Sequence, residues 1–122
     1  MILVDSSVWI DHLRAGEPTL ADLLSKRQVL THPFVVGELA LGSLRQRDVV
    51  IASLQDLSEA VVAYDEEVMQ FITQQNLFGL GIGYIDAHLL VAVRLTPGAL
   101  LWTRDKRLNG LAQRFSVAFA AE

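Results

Sequence analysis

The 122-residue sequence contains no cysteine. Disulfides and thiolate chemistry are excluded, and a reducing cytoplasm is the expected compartment. Proline is scarce, at three residues, and there is no low-complexity tract, internal repeat or linker. No apolar run approaches the roughly 20 residues of a membrane span, so no membrane association is expected. The opening residues read as a core strand and not as a basic segment ahead of a cleavage site, so an export signal is not expected either. A basic excess is also missing, since the formal net charge is −4. Taken alone, that argues against a nucleic-acid partner. What is present is a 52% hydrophobic content with 20% charged residues well dispersed, too apolar for disorder. One domain spanning 1–122, with a core that needs no covalent staples, is expected.

The chain is organised around Ile2-Leu3-Val4-Asp5-Ser6-Ser7-Val8-Trp9-Ile10. Three branched apolar residues running into an acid read as a buried strand that carries a carboxylate to a sheet edge. In open α/β sheets, ligands bind outside the carboxyl ends of such strands. Asp5 or Ser6 serves equally well as the cap of a following helix, Ser6 to Arg14. Gly16 stops that helix and Pro18 restarts one to Leu24. Val29 to Thr31 is a second strand, and Pro33 opens a helix over Phe34 to Leu44. Val49 to Leu57 has helical period, Ala60 to Ala63 reads as a third strand, and Asp65-Glu66-Glu67 starts a helix to about Leu77. Gly79 reads as a helix C-terminal residue. Tyr84 to Leu95 is a helix apolar nearly all round, hence buried. Leu100 to Thr103 is a fourth strand, Lys106 to Arg114 a helix, and Val117 to Phe119 a last strand. This alternation implies an α/β fold with a parallel sheet covered on both faces.

Two further acids interrupt apolar helical faces. Glu38 lies among Phe34, Val35, Leu41 and Gly42, and Asp86 among Leu89, Leu90 and Val93. A glutamate so placed must be paired, reach solvent or bind a cation, because burying an unpaired ion costs several kcal/mol. Asp86 also suits the positive end of its helix, and Asp105 suits a cap after the fourth strand. One crevice at the sheet edge could collect Asp5, Glu38, Asp86 and Asp105. Setting these four aside balances the remaining acids against the ten Lys and Arg. If they converge, like charges about 4 Å apart cost on the order of 4 kcal/mol at an effective dielectric near 20, so cations are required. All-oxygen ligation selects Mg²⁺ or Mn²⁺. Arg14, Arg45, Arg47, Arg104 and Arg107 lie near this edge in sequence and could hold phosphates or serve as solvated surface.

Leu3-Val4-Asp5-Ser6-Ser7-Val8-Trp9-Ile10, Gly37-Glu38-Leu39, Gly83-Tyr84-Ile85-Asp86-Ala87-His88-Leu89-Leu90 and Leu101-Trp102-Thr103-Arg104-Asp105-Lys106-Arg107-Leu108 resemble a PIN-domain ribonuclease, more narrowly the VapC toxins of type II toxin–antitoxin pairs. The resemblance implies a PIN-like three-layer fold, a mainly parallel sheet of four to five strands flanked by helices. It implies a Mg²⁺-dependent endoribonuclease with Asp5, Glu38, Asp86 and Asp105 as metal-binding and catalytic acids, and with Ser7 and Thr103 as further site residues. A metal-activated water would cut the phosphodiester to a 5′-phosphate and a 3′-hydroxyl. Expected partners are structured RNA such as tRNA or rRNA, a cognate VapB antitoxin, and a second copy of the chain in a homodimer. Asp105 stands at the fourth acidic position, where members of the family vary.

Other readings stay open at this stage. A non-catalytic PIN-like scaffold binding RNA or protein would need none of the four acids. A phosphoacceptor receiver domain would want a second acid beside Asp5, where Ser6 and Ser7 stand, and an Asp closing the third strand, where Ala63-Tyr64 stands. A haloacid-type phosphatase would want an Asp at Ser7. A metal-free ribonuclease using His12, His32 or His88 has no supporting spacing. Gly79-Leu80-Gly81-Ile82-Gly83 follows a helix and lacks dinucleotide-binding spacing. Trp9 and Trp102 flank buried strands and read as core.

Overall fold

Four short strands carry the architecture: β1 (Ile2–Val4), β2 (Val29–Thr31), β3 (Ser58–Glu59) and β4 (Leu100–Trp102). A computed structural model describes residues 1–121. The strands lie in the order β3-β2-β1-β4 and all pairs are parallel. β1 is central, with Leu3 opposite Leu30 on one side and Leu101 on the other. Because every strand points the same way, Asp5, His32 and Thr103 follow three strands at one edge, where such sheets bind ligands.

Parallel pairing requires crossovers, and six helices among the described residues provide them, α1 (Ser6–Ala15), α2 (Pro18–Ser25), α3 (Pro33–Ala40), α4 (Arg47–Gln55), α5 (Asp65–Gln74) and α6 (Tyr84–Leu95), while α7 (Lys106–Arg114) follows β4. Gly16 ends α1 at φ 79°, a conformation open to glycine, and Pro18 and Pro33 occupy first-turn positions where the missing N–H is harmless. α6 is buried continuously from Ala87 to Val93, as its apolar circumference requires. Its core partners include Leu3, Val4, Leu101 and Leu108, and Trp9 and Trp102 are buried with them. No helix among the described residues is long and apolar enough to cross a membrane.

Several expected boundaries move. The third strand lies at Ser58–Glu59, not at 60–63. Ala60 N–H still donates to Thr31 O, but Val61 N–H turns to Thr96 Oγ1, and Val61 and Val62 are exposed. The expected last strand reduces to a single bridge between Ala118 and Leu101. α3 stops at Ala40 instead of Leu44, where the Arg47 guanidinium takes the carbonyl of Ala40. α4 begins and ends two residues earlier than expected, at Arg47 and Gln55. α5 ends at Gln74, short of Leu77, so Gly79 is a loop residue and not a helix terminus.

Candidate active site

Asp5 leaves β1 extended and caps α1, its Oδ1 accepting from Ser6 N–H at 2.8 Å. Its Oδ2 accepts from Ser7 Oγ and Thr103 Oγ1, each at 2.8 Å. The residue is only 6% exposed, and a buried carboxylate is tolerable only with donors on both oxygens. The capping and site readings of Asp5 therefore coincide in one side chain. Ser7 Oγ in turn accepts from Arg104 N–H at 3.1 Å, and Thr103 Oγ1 from Asp105 N–H at 3.1 Å. Both hydroxyls thus join the ends of β1 and β4.

The other three acids each have one oxygen occupied. Ser6 Oγ donates to Glu38 Oε1 at 3.2 Å, linking α1 to α3. Asp86 Oδ2 accepts from Gly83 N–H at 3.2 Å, closing the first turn of α6. Asp105 Oδ1 accepts from Leu108 N–H at 2.9 Å as the cap of α7. The remaining oxygens Glu38 Oε2, Asp86 Oδ1 and Asp105 Oδ2 take no hydrogen bond among the described residues. Glu38 was expected on a buried apolar face. It stands instead on the exposed side of α3, and Leu41 beside it is 91% exposed.

Electrostatics tie the four together. Partial burial pushes the Glu38 carboxyl above the ordinary range; the Ser6 hydroxyl opposes this, and the charges of Asp5 and Asp86 add to it. Burial likewise raises Asp86, opposed by Gly83 N–H and reinforced by Asp5 and Asp105. Like charges within reach of one another disfavour simultaneous ionisation, and a cation relieves that. Among the described residues, no three acids or histidines stand close enough to cage an ion directly. Mg²⁺ keeps several waters and takes as few as one or two protein carboxylates, so it does not require such a cage. The donor set fits such an ion, being all oxygen with open positions facing mutual repulsion.

A PIN-domain family model matches residues 2–113. A protein named Ribonuclease VapC32, from two strains of Mycobacterium tuberculosis (CDC 1551 / Oshkosh and ATCC 25618 / H37Rv), is 48% identical over all of this chain and 98% of its own length. The chain belongs to the PIN-domain family, on its VapC branch. In this VapC-type domain the four-stranded parallel sheet is the expected PIN-like architecture, with Asp5 directly following its central strand.

The arginines sort differently from the sequence expectation. Arg104 pairs with Asp11 at 2.5 Å and with Glu17 at 2.6 Å, fastening the β4–α7 turn to the α1–α2 corner. Arg14 pairs with the same Asp11, and Arg47 caps α3. In this arrangement all three guanidiniums engage the protein's own groups. Arg107 and Arg45 form no ion pair among the described residues.

Sequence reasoning missed Ser6 as a bridge between Asp5 and Glu38, though the doubled serine after the acid was a signal. It also missed His32, whose Nδ1 accepts from Phe34 N–H at 3.0 Å and caps α3, the helix that carries Glu38. A polar residue directly before Pro at a helix start was the available clue.

Proposed function

We propose that this VapC-type domain is a metal-dependent endoribonuclease and the toxin of a type II toxin–antitoxin pair. The observation carrying this reading is the set Asp5, Glu38, Asp86 and Asp105, in which partial burial, with the neighbouring acids' charges adding to it, raises Glu38 and Asp86, and three carboxylates each keep an oxygen free of hydrogen bonds among the described residues. Mg²⁺, with Mn²⁺ as substitute, would supply the charge that acidifies an attacking water and stabilises the phosphate during hydrolysis. Asp5 is the fixed point, its carboxylate oriented by Ser6, Ser7 and Thr103 so that no reorganisation is needed when substrate arrives. Glu38, Asp86 and Asp105 hold the surrounding positions, each steadied through one oxygen while the other stays open.

The family relation supports RNA as substrate, with structured RNA such as tRNA or rRNA favoured, and supports a cytoplasmic homodimer. It also supports a VapB-type antitoxin as partner. A cavity of about 620 Å³ lies between α1 and the α3–α4 segment, with Ile10, Leu13, Leu44 and Val50 on its walls and Glu38 on its rim. Ile10 is 50% exposed there, an apolar surface suited to a partner segment that ends at the acids.

RNA cleavage by the wild-type chain and Asp5→Asn, assayed with millimolar Mg²⁺ and with a chelator, tests the reading. Expected are cleavage by wild type only with metal and none by the variant. Equal cleavage by Asp5→Asn, or cleavage indifferent to chelation, overturns the metal site. No cleavage of any RNA by wild type favours a non-catalytic scaffold.

A further inference from the structure

The connection between α5 and α6 carries features that the four acids do not use. A second cavity of about 200 Å³ opens there, walled by Ile72, Leu77, Phe78, Ile82, Tyr84 and Ala87. It is smaller than the roughly 300–1,000 Å³ of sites that enclose drug-sized ligands, so it suits a single ring. Phe78 is 66% exposed and Tyr84 44% exposed, a large aromatic surface left open to solvent. The Tyr84 ring is already fixed, its hydroxyl donating to Asp65 Oδ1 at 2.8 Å and the ring lying nearly perpendicular to His88 with centroids 4.7 Å apart. Gly83, also on the cavity wall, is the residue whose N–H holds Asp86. The cavity is therefore one hydrogen bond away from the acidic site.

A cation lies on the same loop. Arg107 Nη1 donates to Gly81 O at 3.4 Å, and its guanidinium rests where a Cβ on Gly81 would stand. Gly81 has φ 79°, so the position favours glycine for its backbone as well. Arg107 forms no ion pair among the described residues, in contrast to Arg104 and Arg14. An apolar aromatic cavity, with a guanidinium free of ion pairs among the described residues resting on Gly81 next to the cavity residue Ile82, complements a nucleotide, whose base is apolar on its faces and whose phosphate is an anion.

We propose that this cavity and Arg107 form a nucleotide subsite, in which one unstacked base next to the scissile bond enters against Phe78 and Tyr84 while an adjacent phosphate pairs with Arg107. The proposal rests on the ribonuclease reading above and adds the place where substrate is gripped. Stacking on an aromatic ring tolerates any base, whereas the guanidinium reads charge alone. The subsite therefore positions single-stranded RNA without specifying its sequence.

The test is a cycle crossing Phe78→Ala with an abasic nucleotide placed on either side of the cleaved bond, in a short single-stranded RNA cut by the full chain with Mg²⁺. Phe78→Ala is expected to raise KM about ten-fold on intact RNA with kcat nearly unchanged. On the RNA abasic at the occupied position that increase should vanish, and Phe78→Tyr should restore KM. Arg107→Gln should weaken all RNAs alike and flatten the salt dependence by about 0.7 in log–log slope. An unchanged KM for Phe78→Ala, or an equal loss on intact and abasic RNA, overturns the subsite. So does a KM loss that tracks a change in oligomeric state by sedimentation, which would make the face a protein contact. If wild type cuts RNA and Phe78→Ala is indifferent, the subsite alone fails; if wild type cuts none, both readings fail.

Discussion

Thr103 Oγ1 donates to Asp5 Oδ2 at 2.8 Å across 98 positions of sequence. The bond joins the ends of two neighbouring parallel strands, β4 and β1, and the same hydroxyl oxygen accepts from Asp105 N–H. One threonine thereby sets the orientation of the central acid and the direction in which the chain departs toward another.

Thr103→Val keeps the shape and removes both bonds, leaving Asp5 Oδ2 with Ser7 alone and Asp105 N–H without its acceptor. A buried hydrogen bond to a charged group is worth about 1.5–3 kcal/mol, so the urea midpoint should fall accordingly and Mg²⁺ affinity with it. Thr103→Ser should retain most of both. Equal stability of the valine variant and wild type would show that the hydroxyl does not support Asp5.

Arg104 holds the Glu17 carboxyl below the ordinary carboxylate range, chiefly through its hydrogen bond, with Thr19 N–H adding to it. A carboxylate lowered in the folded state stabilises above its unfolded pKa, and that contribution is lost as pH falls through the folded value. Arg104→Gln should therefore reduce stability slightly at pH 7, more at low salt than at high, and remove this part of the acid sensitivity. Melting curves at two salt concentrations and at pH 7 and 3 check it. A large fall in RNA affinity at unchanged stability would instead make Arg104 a substrate contact.

His32 is fully buried, and burial, followed by the neighbouring His88, holds its pKa down at about 4. A histidine lowered from about 6.5 leaves stability intact above the unfolded value and erodes it as pH falls toward the folded one. Acidification from pH 6.5 to 4 should thus cost on the order of 3 kcal/mol at this residue. Glu38 and Asp86, raised in the folded state, change stability in the opposite sense as they protonate. The comparison must therefore be between variants. His32→Asn keeps an acceptor for the α3 cap without a titrating ring, and its denaturation midpoint should depend on pH less steeply than that of wild type over this range. Parallel profiles would exclude His32 as the source.

These residues mark the limits of what the sequence discloses. Strands β1, β2 and β4 were legible because each is a short branched run meeting a turn signal, and α6 because it is apolar all round. β3 was misplaced because Val61-Val62 has strand composition but no partner, its N–H going to a threonine side chain. Glu38 was singled out for a mistaken reason: its apolar neighbours read as a buried face, yet Leu41 faces solvent. The commitment of Arg104 to Asp11 and Glu17 spans 93 and 87 positions and leaves no local pattern to read.

The exposed Ile10 and Leu13 give the proposed antitoxin surface its own check. Both line the cavity beside Glu38 without entering the core. Leu13→Glu should weaken antitoxin binding at least ten-fold while RNA cleavage by the free chain stays near wild type, as read by co-purification and cleavage assays. Undiminished binding would move the antitoxin elsewhere.

Thermal melting with and without divalent ion, on wild type, Glu38→Gln and Asp86→Asn, addresses the shared site itself. Without metal, both variants should melt higher than wild type at pH 7, because each removes one repelling charge. Millimolar Mg²⁺ or Mn²⁺ should raise the wild-type midpoint by an amount that follows RT ln(1 + [L]/Kd) and should raise the variants less. A wild-type curve that does not move with metal, beside variants no more stable than it, would contradict a common cation site for these carboxylates.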